Sequence, residues 1–153
     1  MAVFVLVFLG TAVTTGLFAK NNSVLNKKMA ETAENSRPAN LDIVMLTDSA
    51  CKDCFDMSPI LDNIKKENTK INSHRIVDRS SDEGKELIAK FSIKKLPTFL
   101  ATGELAKNSV LAGFFSKAGD TIDNTFVFRQ VGGPYLDTAT GKVKGKVNLV
   151  LIT

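Results

Sequence analysis

"TDSACKDCFDMSP", Thr47 to Pro59, holds the only two cysteines of the chain, Cys51 and Cys54, with Lys52 and Asp53 between them. A Cys-x-x-Cys pair has three chemical readings: a redox couple, half of a zinc site, or an inert staple. A bridge between such close neighbours encloses too short a loop to stabilise a fold much. A zinc site needs about four ligands, and beyond the cysteines only His74 is an obvious donor. His74 opens a strand-like stretch and reads as a surface residue, so no metal is expected. The redox reading leads.

The flanks place the pair. "LDIVMLT", Leu41 to Thr47, is a near-continuous apolar run rich in β-branched residues, as in a strand buried on both faces. A helix is predicted from about Cys51, capped by Asp48 or Ser49, with Cys54, Met57, Leu61 and Ile64 on one face. Pro59 would lie inside that helix and kink it. "SHRIVD", Ser73 to Asp78, reads as a second strand. Ser80 and Glu83 form a candidate capping box for a second helix, whose apolar face carries Leu87, Ile88 and Phe91. "PTFLA", Pro97 to Ala101, reads as a third strand. The turn Thr102-Gly103 leads to "SVLAGFF", Ser109 to Phe115, read as a fourth. The order is an α/β plan with a mixed sheet. After a turn-prone break at Gly119 to Asn124, "TFVFRQV", Thr125 to Val131, reads as a further strand ended by Gly132-Gly133-Pro134. Thr140-Gly141 reads as a hairpin turn.

Chain length, 153 residues, and 44% hydrophobic content suit one globular domain with residues to spare. The net charge of +4 comes from scattered lysines without a basic, aromatic-studded stripe, so nucleic acid is not an expected partner. Met1 to Ala19 carries no charge, which favours an uncleaved membrane anchor over a cleaved signal for residues 1–20. Residues 21–40 read as a polar linker, with a short amphipathic helix around Lys27 to Glu34 as the alternative. The redox domain is assigned to residues 41–118 and a β-rich extension to 119–153. The extension ends in "VNLVLIT", where Val150 and Thr153 repeat Val44 and Thr47 of the first strand. That repeat implies the start of a second, tandem copy. Lys20, Lys27 and Lys28 follow the apolar stretch, and the positive-inside rule alone would turn the domain inward. A membrane-tethered redox domain suits exported clients, and the placement favoured is outside the cytoplasm, anchored or secreted.

A thiol reacts as its thiolate, and a helix N-terminus favours that form. Cys51, exposed at the predicted helix start, is the expected nucleophile. Cys54, one turn on and facing inward, is the expected resolving thiol. Lys52 favours the Cys51 thiolate and Asp53 opposes it.

These residues resemble the thioredoxin-fold thiol–disulfide oxidoreductases. "CKDC" follows a buried strand, Pro59 stands where the family has its helix proline, and "IKKLPTFLATGEL", Ile93 to Leu105, resembles the family's Ile-x-x-x-Pro-Thr stretch with its Gly-Glu turn. The resemblance covers about Leu41 to Lys117. It implies a three-layer α/β/α fold with a mixed sheet, here preceded by an N-terminal hydrophobic helix. It implies that Pro97 is cis beside the cysteine pair and that Leu96 and Pro97 bind the substrate backbone. The implied cofactor is the redox-active disulfide Cys51–Cys54 alone. The implied partners are protein thiols and disulfides and a second redox protein, as no nucleotide-binding loop is present. The chain departs from the family in three places. Ala50 replaces the tryptophan before the first cysteine. Met45 replaces the buried acid, with Asp48 nearby but expected nearer the surface. No closing helix is evident after Lys117. The alternative function is a non-catalytic protein-binding module with a structural disulfide.

Overall fold

Burial alternates along the strand that precedes the cysteines, and both of its faces are covered. The computed structural model describes residues 22–147. The chain divides at Arg37 into two units. In the first, the stretch read as a polar linker is helical over residues 22–36 (α1), as the alternative reading had it. Lys27 and Glu31 (4.0 Å) and Arg37 and Glu34 (2.6 Å) pair at helical spacing. The anchor assigned to residues 1–20 and all but Val147 of the repeat at Val147 to Thr153 lie outside the described residues. Among those described, no helix is long and apolar enough to cross a membrane.

The second unit begins at Pro38. Strand β1 (Ala39–Thr47) sends Ala39, Leu41 and Ile43 into one core cluster and Leu46 into another. A strand covered on both faces belongs inside a sheet. β1 pairs in parallel with β2 (Thr69–Asp78) and antiparallel with β4 (Thr98–Gly103). The five-stranded sheet runs β2-β1-β4-β6-β5, with β5 (Gly119–Ile122) and β6 (Thr125–Phe128) at the far side. Residues 119–128, placed in the extension by sequence, are therefore built into the main sheet. The break read at Gly119 to Asn124 is a strand closed by a two-residue turn, Asp123-Asn124. Both turn residues have positive φ (48° and 58°), a conformation Asp and Asn tolerate.

Helices α2 (Ser58–Lys66) and α4 (Ser109–Ala118) cover one face through Leu61, Ile64, Leu111, Phe115 and Ala118. Helix α3 (Asp82–Lys90) covers the other, where Leu87, Ile88 and Phe91 meet Leu46, Leu100 and Val127. The result is the expected three-layer α/β/α arrangement with a mixed sheet. A second sheet, β3 (Lys95–Leu96), β7 (Tyr135–Asp137) and β8 (Lys142–Lys144), carries Leu96 and Leu136 into the α3 core.

Three sequence readings are corrected. "SVLAGFF" is helix, not strand. Leu111, Phe115 and Ala118 recur at helical spacing, and Asn108 caps the helix by accepting from the N–H groups of Val110 (2.8 Å) and Leu111 (3.3 Å). A short apolar run fits either period until its cap is recognised. This helix precedes the last two strands of the main sheet. The helix after the cysteines starts at Ser58, with Met57 at its N-cap and no side-chain cap. Pro59 therefore occupies the first turn, where its missing N–H costs nothing, and it starts the helix rather than kinking it. Finally, the cap of α3 is Ser81, whose hydroxyl accepts from Gly84 N–H (3.0 Å), while Ser80 bonds back to Asp78.

The centre of the α2/α4 core is aromatic. Phe126 is fully buried, 4.5 Å from the Phe115 ring centroid and 5.6 Å from that of Phe99. Phe126→Ala should destabilise the domain by about 3–5 kcal/mol in urea unfolding, whereas Val110→Ala, on the exposed side of α4, should change stability by about 0.5 kcal/mol or less.

Candidate dithiol site

Cys51 and Cys54 leave the end of β1 in a turn-rich loop ahead of α2, and they are joined as a disulfide. Cys51 N–H donates to the Asp48 carbonyl (3.0 Å) and Cys54 N–H to the Cys51 carbonyl (3.4 Å). Cys51 is thus not the first residue of a helix, and a dipole effect confined to the first turn does not reach it. Cys54 does not share a face with Met57, Leu61 and Ile64, which lie in the α2/α4 core; it packs against the α3 core, on the Leu46 side.

The register of the sheet brings the proline here. Leu46 pairs with Thr98, so the residue before Thr98 sits beside the loop that leaves β1. The Leu96–Pro97 peptide bond is cis. A groove of about 240 Å³ is lined by both cysteines, Pro97, Met45, Asp48, Phe55 and Asp56, among others. Leu96 does not line it. Its side chain is fully buried in the α3 core, and its strand β3 pairs with β7, Leu96 opposite Leu136. Met45 lines the groove at the position where the resemblance implies a buried acid. Among the described residues no group of three or more His, Cys, Asp or Glu side chains is placed to hold a metal ion.

Four features of the site were not foreseen from the sequence. Asp48, expected nearer the surface, has a side chain only 7% exposed, ion-paired with Arg79 (Nε to Oδ2, 2.6 Å). Arg79 follows β2, whose end lies beside the end of β1. Asp78, the last residue of β2, accepts from Ser49 N–H (2.7 Å) across the same gap. The fourth is a strap from Gly132 to Lys146 that holds both loops of the site. The Pro134 carbonyl accepts from Phe55 N–H (2.6 Å), and the Phe55 ring lies against Gly132, where a Cβ would stand 3.0 Å from ring carbons. Thr138 donates through its N–H to the Lys94 carbonyl (3.0 Å) and through its hydroxyl to that of Ile93 (2.7 Å), just ahead of Pro97. Lys146 pairs with Asp53 (2.9 Å), between the cysteines, and holds that carboxyl below its ordinary range. The sequence signals for the strap were the Gly132-Gly133-Pro134 run, read only as the end of a strand, and the Thr140-Gly141 turn, which closes the β7–β8 hairpin.

Fold and site together define a class: a mixed sheet between helices, with a Cys-x-x-Cys disulfide off the end of a buried strand and a proline beside it. The chain belongs to the thioredoxin family, whose model, described as Thioredoxin, matches residues 16–118. No match was found among curated proteins or among solved structures.

Asp78 gives the site a pH signature. Hydrogen bonds from the Ser80 hydroxyl and N–H, and then from Ser49, hold its carboxyl well below the ordinary value of 3.8. A carboxyl whose folded pKa is depressed stabilises the fold above its unfolded pKa, and that contribution fades as pH falls toward the folded value. Asp78→Asn should therefore lower the melting temperature at pH 7. The gap from the parent should close as pH drops below about 3.8, in melts recorded from pH 7 to 2.

Proposed function

We propose that the domain catalyses thiol–disulfide exchange with protein substrates. The observation that carries this reading is the Cys51–Cys54 disulfide lining one groove with Pro97. Cys51 is the nucleophile and Cys54 the resolving thiol. In support, Cys54 packs against the α3 core, whereas Cys51 belongs to neither core cluster.

In the reduced protein the Cys51 thiolate attacks one sulfur of a substrate disulfide. That S–S bond breaks, one substrate sulfur leaves as thiolate, and the other is held in a mixed disulfide. Cys54, deprotonated, attacks Cys51 Sγ and releases the second substrate thiolate, which takes up a proton. The substrate gains two electrons and the protein gains its disulfide. Run backwards, the same steps oxidise a dithiol substrate. A partner redox protein resets the pair by the same exchange, with no further cofactor. Pro97, at the groove, is the substrate-backbone contact; Leu96, buried and strand-paired, contributes at most through its main chain. The uncharged stretch Ala2 to Ala19 supports a membrane tether; the substrates we propose are exported proteins, met by a domain held outside the cytoplasm.

Two measurements test the reading. Equilibrated in glutathione buffers, the purified chain should show a reduction potential of roughly −120 to −270 mV, and a value below about −300 mV would mark a structural disulfide and a binding module instead. Incubated with a disulfide-bonded protein, the reduced Cys54→Ser chain should accumulate a mixed disulfide on non-reducing gels. Cys51→Ser should lose exchange and accumulate none; equal trapping by both would remove the assigned roles.

A further inference from the structure

The turn that delivers Cys51 is tied to the end of β2 in both directions. Arg79 N–H donates to the Thr47 carbonyl (2.9 Å) and Ser49 N–H to the Asp78 carboxylate (2.7 Å). The Arg79 guanidinium pairs with Asp48 at 2.6 Å. Asp48 in turn organises the loop: Oδ1 accepts from Ala50 N–H (2.8 Å), and its carbonyl accepts from Cys51 N–H (3.0 Å). Asp48 is part of the wall of the cysteine groove, and its carboxylate is nearly withdrawn from solvent.

A carboxylate in that position opposes a thiolate at Cys51, unless its charge is cancelled. Among the other charges at the loop, Asp53 is paired with Lys146, Lys52 stands beside Cys51, and Asp56 lies beyond Cys54 with its carboxylate accepting from Ser58 N–H (2.9 Å). The Asp48 charge, more sheltered than these, is screened least by water.

Given the exchange reaction above, we propose that Arg79 is a positioning residue for the dithiol. Acting through Asp48, it seats the Cys51 turn and cancels the carboxylate charge at the groove wall. Arg79 sets how readily the disulfide is reduced without touching the substrate.

Charge makes the two partners act with opposite signs. Arg79→Met leaves the carboxylate unpaired and disfavours the thiolate, and with it the reduced form. Asp48→Asn keeps an acceptor for Ala50 but leaves the guanidinium unpaired, favouring the thiolate. The test uses the full chain and reads two quantities for each variant. One is the pH midpoint of Cys51 thiolate absorbance in the reduced protein. The other is the equilibrium constant for oxidation by glutathione disulfide at one pH above the midpoints of all variants, where reduced Cys51 is thiolate. Arg79→Met should raise both, the constant by about threefold to tenfold, and Asp48→Asn should lower both by a similar factor, as expected of one partly screened charge. The double variant should return close to the parent. A clamp that is merely structural would loosen the loop whichever partner is lost. Single variants that move the same way, or by less than about twofold, therefore overturn the proposal. If Arg79→Met does not fold, Asp48→Asn decides alone: a lowered midpoint supports the proposal, and an unchanged or raised one overturns it. A parent chain that does not exchange with glutathione sinks the exchange reading instead, which these midpoints do not depend on.

Discussion

Strand β1 has to be buried on both faces, and the site follows from that requirement. Ile43 and Leu46 are fully buried on opposite sides, so helices must cover both faces and partner strands both edges. A parallel neighbour on one edge brings the ends of β1 and β2 together, which is how Asp78 and Arg79 come to meet Asp48 and Ser49. An antiparallel neighbour on the other edge starts where β1 ends, which is how Pro97 comes to stand beside the cysteines. Three segments distant in sequence thus converge on one end of one strand.

That geometry explains which parts were legible in the sequence. Leu41 to Thr47 and the stretch after Pro97 were readable as strands because burial on both faces writes itself as runs of apolar residues, whereas Ser73 to Asp78, on an edge strand with only Val77 buried, offered no more than the Ile76-Val77 pair. The cysteine pair and Pro97 were readable because each is a chemically rare residue at a definite spacing. Helix α4 was not readable, since seven apolar and small residues satisfy a period of two as well as one of 3.6. The information that decides it lies in Asn108, just outside the run. The start of α2 was misplaced for a related reason. Met57, Leu61 and Ile64 keep helical spacing when extended back to Cys54, but the backbone at the cysteines is a turn, and Pro59 marks the first turn of the helix rather than its middle.

The strap and the Asp48–Arg79 pair were illegible for a different reason. Both are pairings between residues far apart in sequence, made by ordinary residue types. Nothing local distinguishes Arg79 from any other arginine after a strand; its role comes from the parallel register that sets β2 beside β1. Pro134 and Thr138 act largely through main-chain groups, and backbone hydrogen bonding across a fold leaves no compositional trace.

Because Cys51 stands ahead of α2, the electrostatics of the dithiol fall to side chains instead of a helix terminus. Two of the nearby acids are matched by cations from elsewhere in the fold: Asp48 by Arg79 after β2, Asp53 by Lys146 after β8. The two pairs differ in exposure. Asp48 is nearly enclosed, so its pairing resists salt, whereas Asp53 and Lys146 are both open to solvent and their attraction is screened at physiological ionic strength. The loop is therefore anchored on one side by a sheltered charge pair and on the other by a weak ionic contact backed by the Phe55–Pro134 hydrogen bond and the Phe55–Gly132 packing.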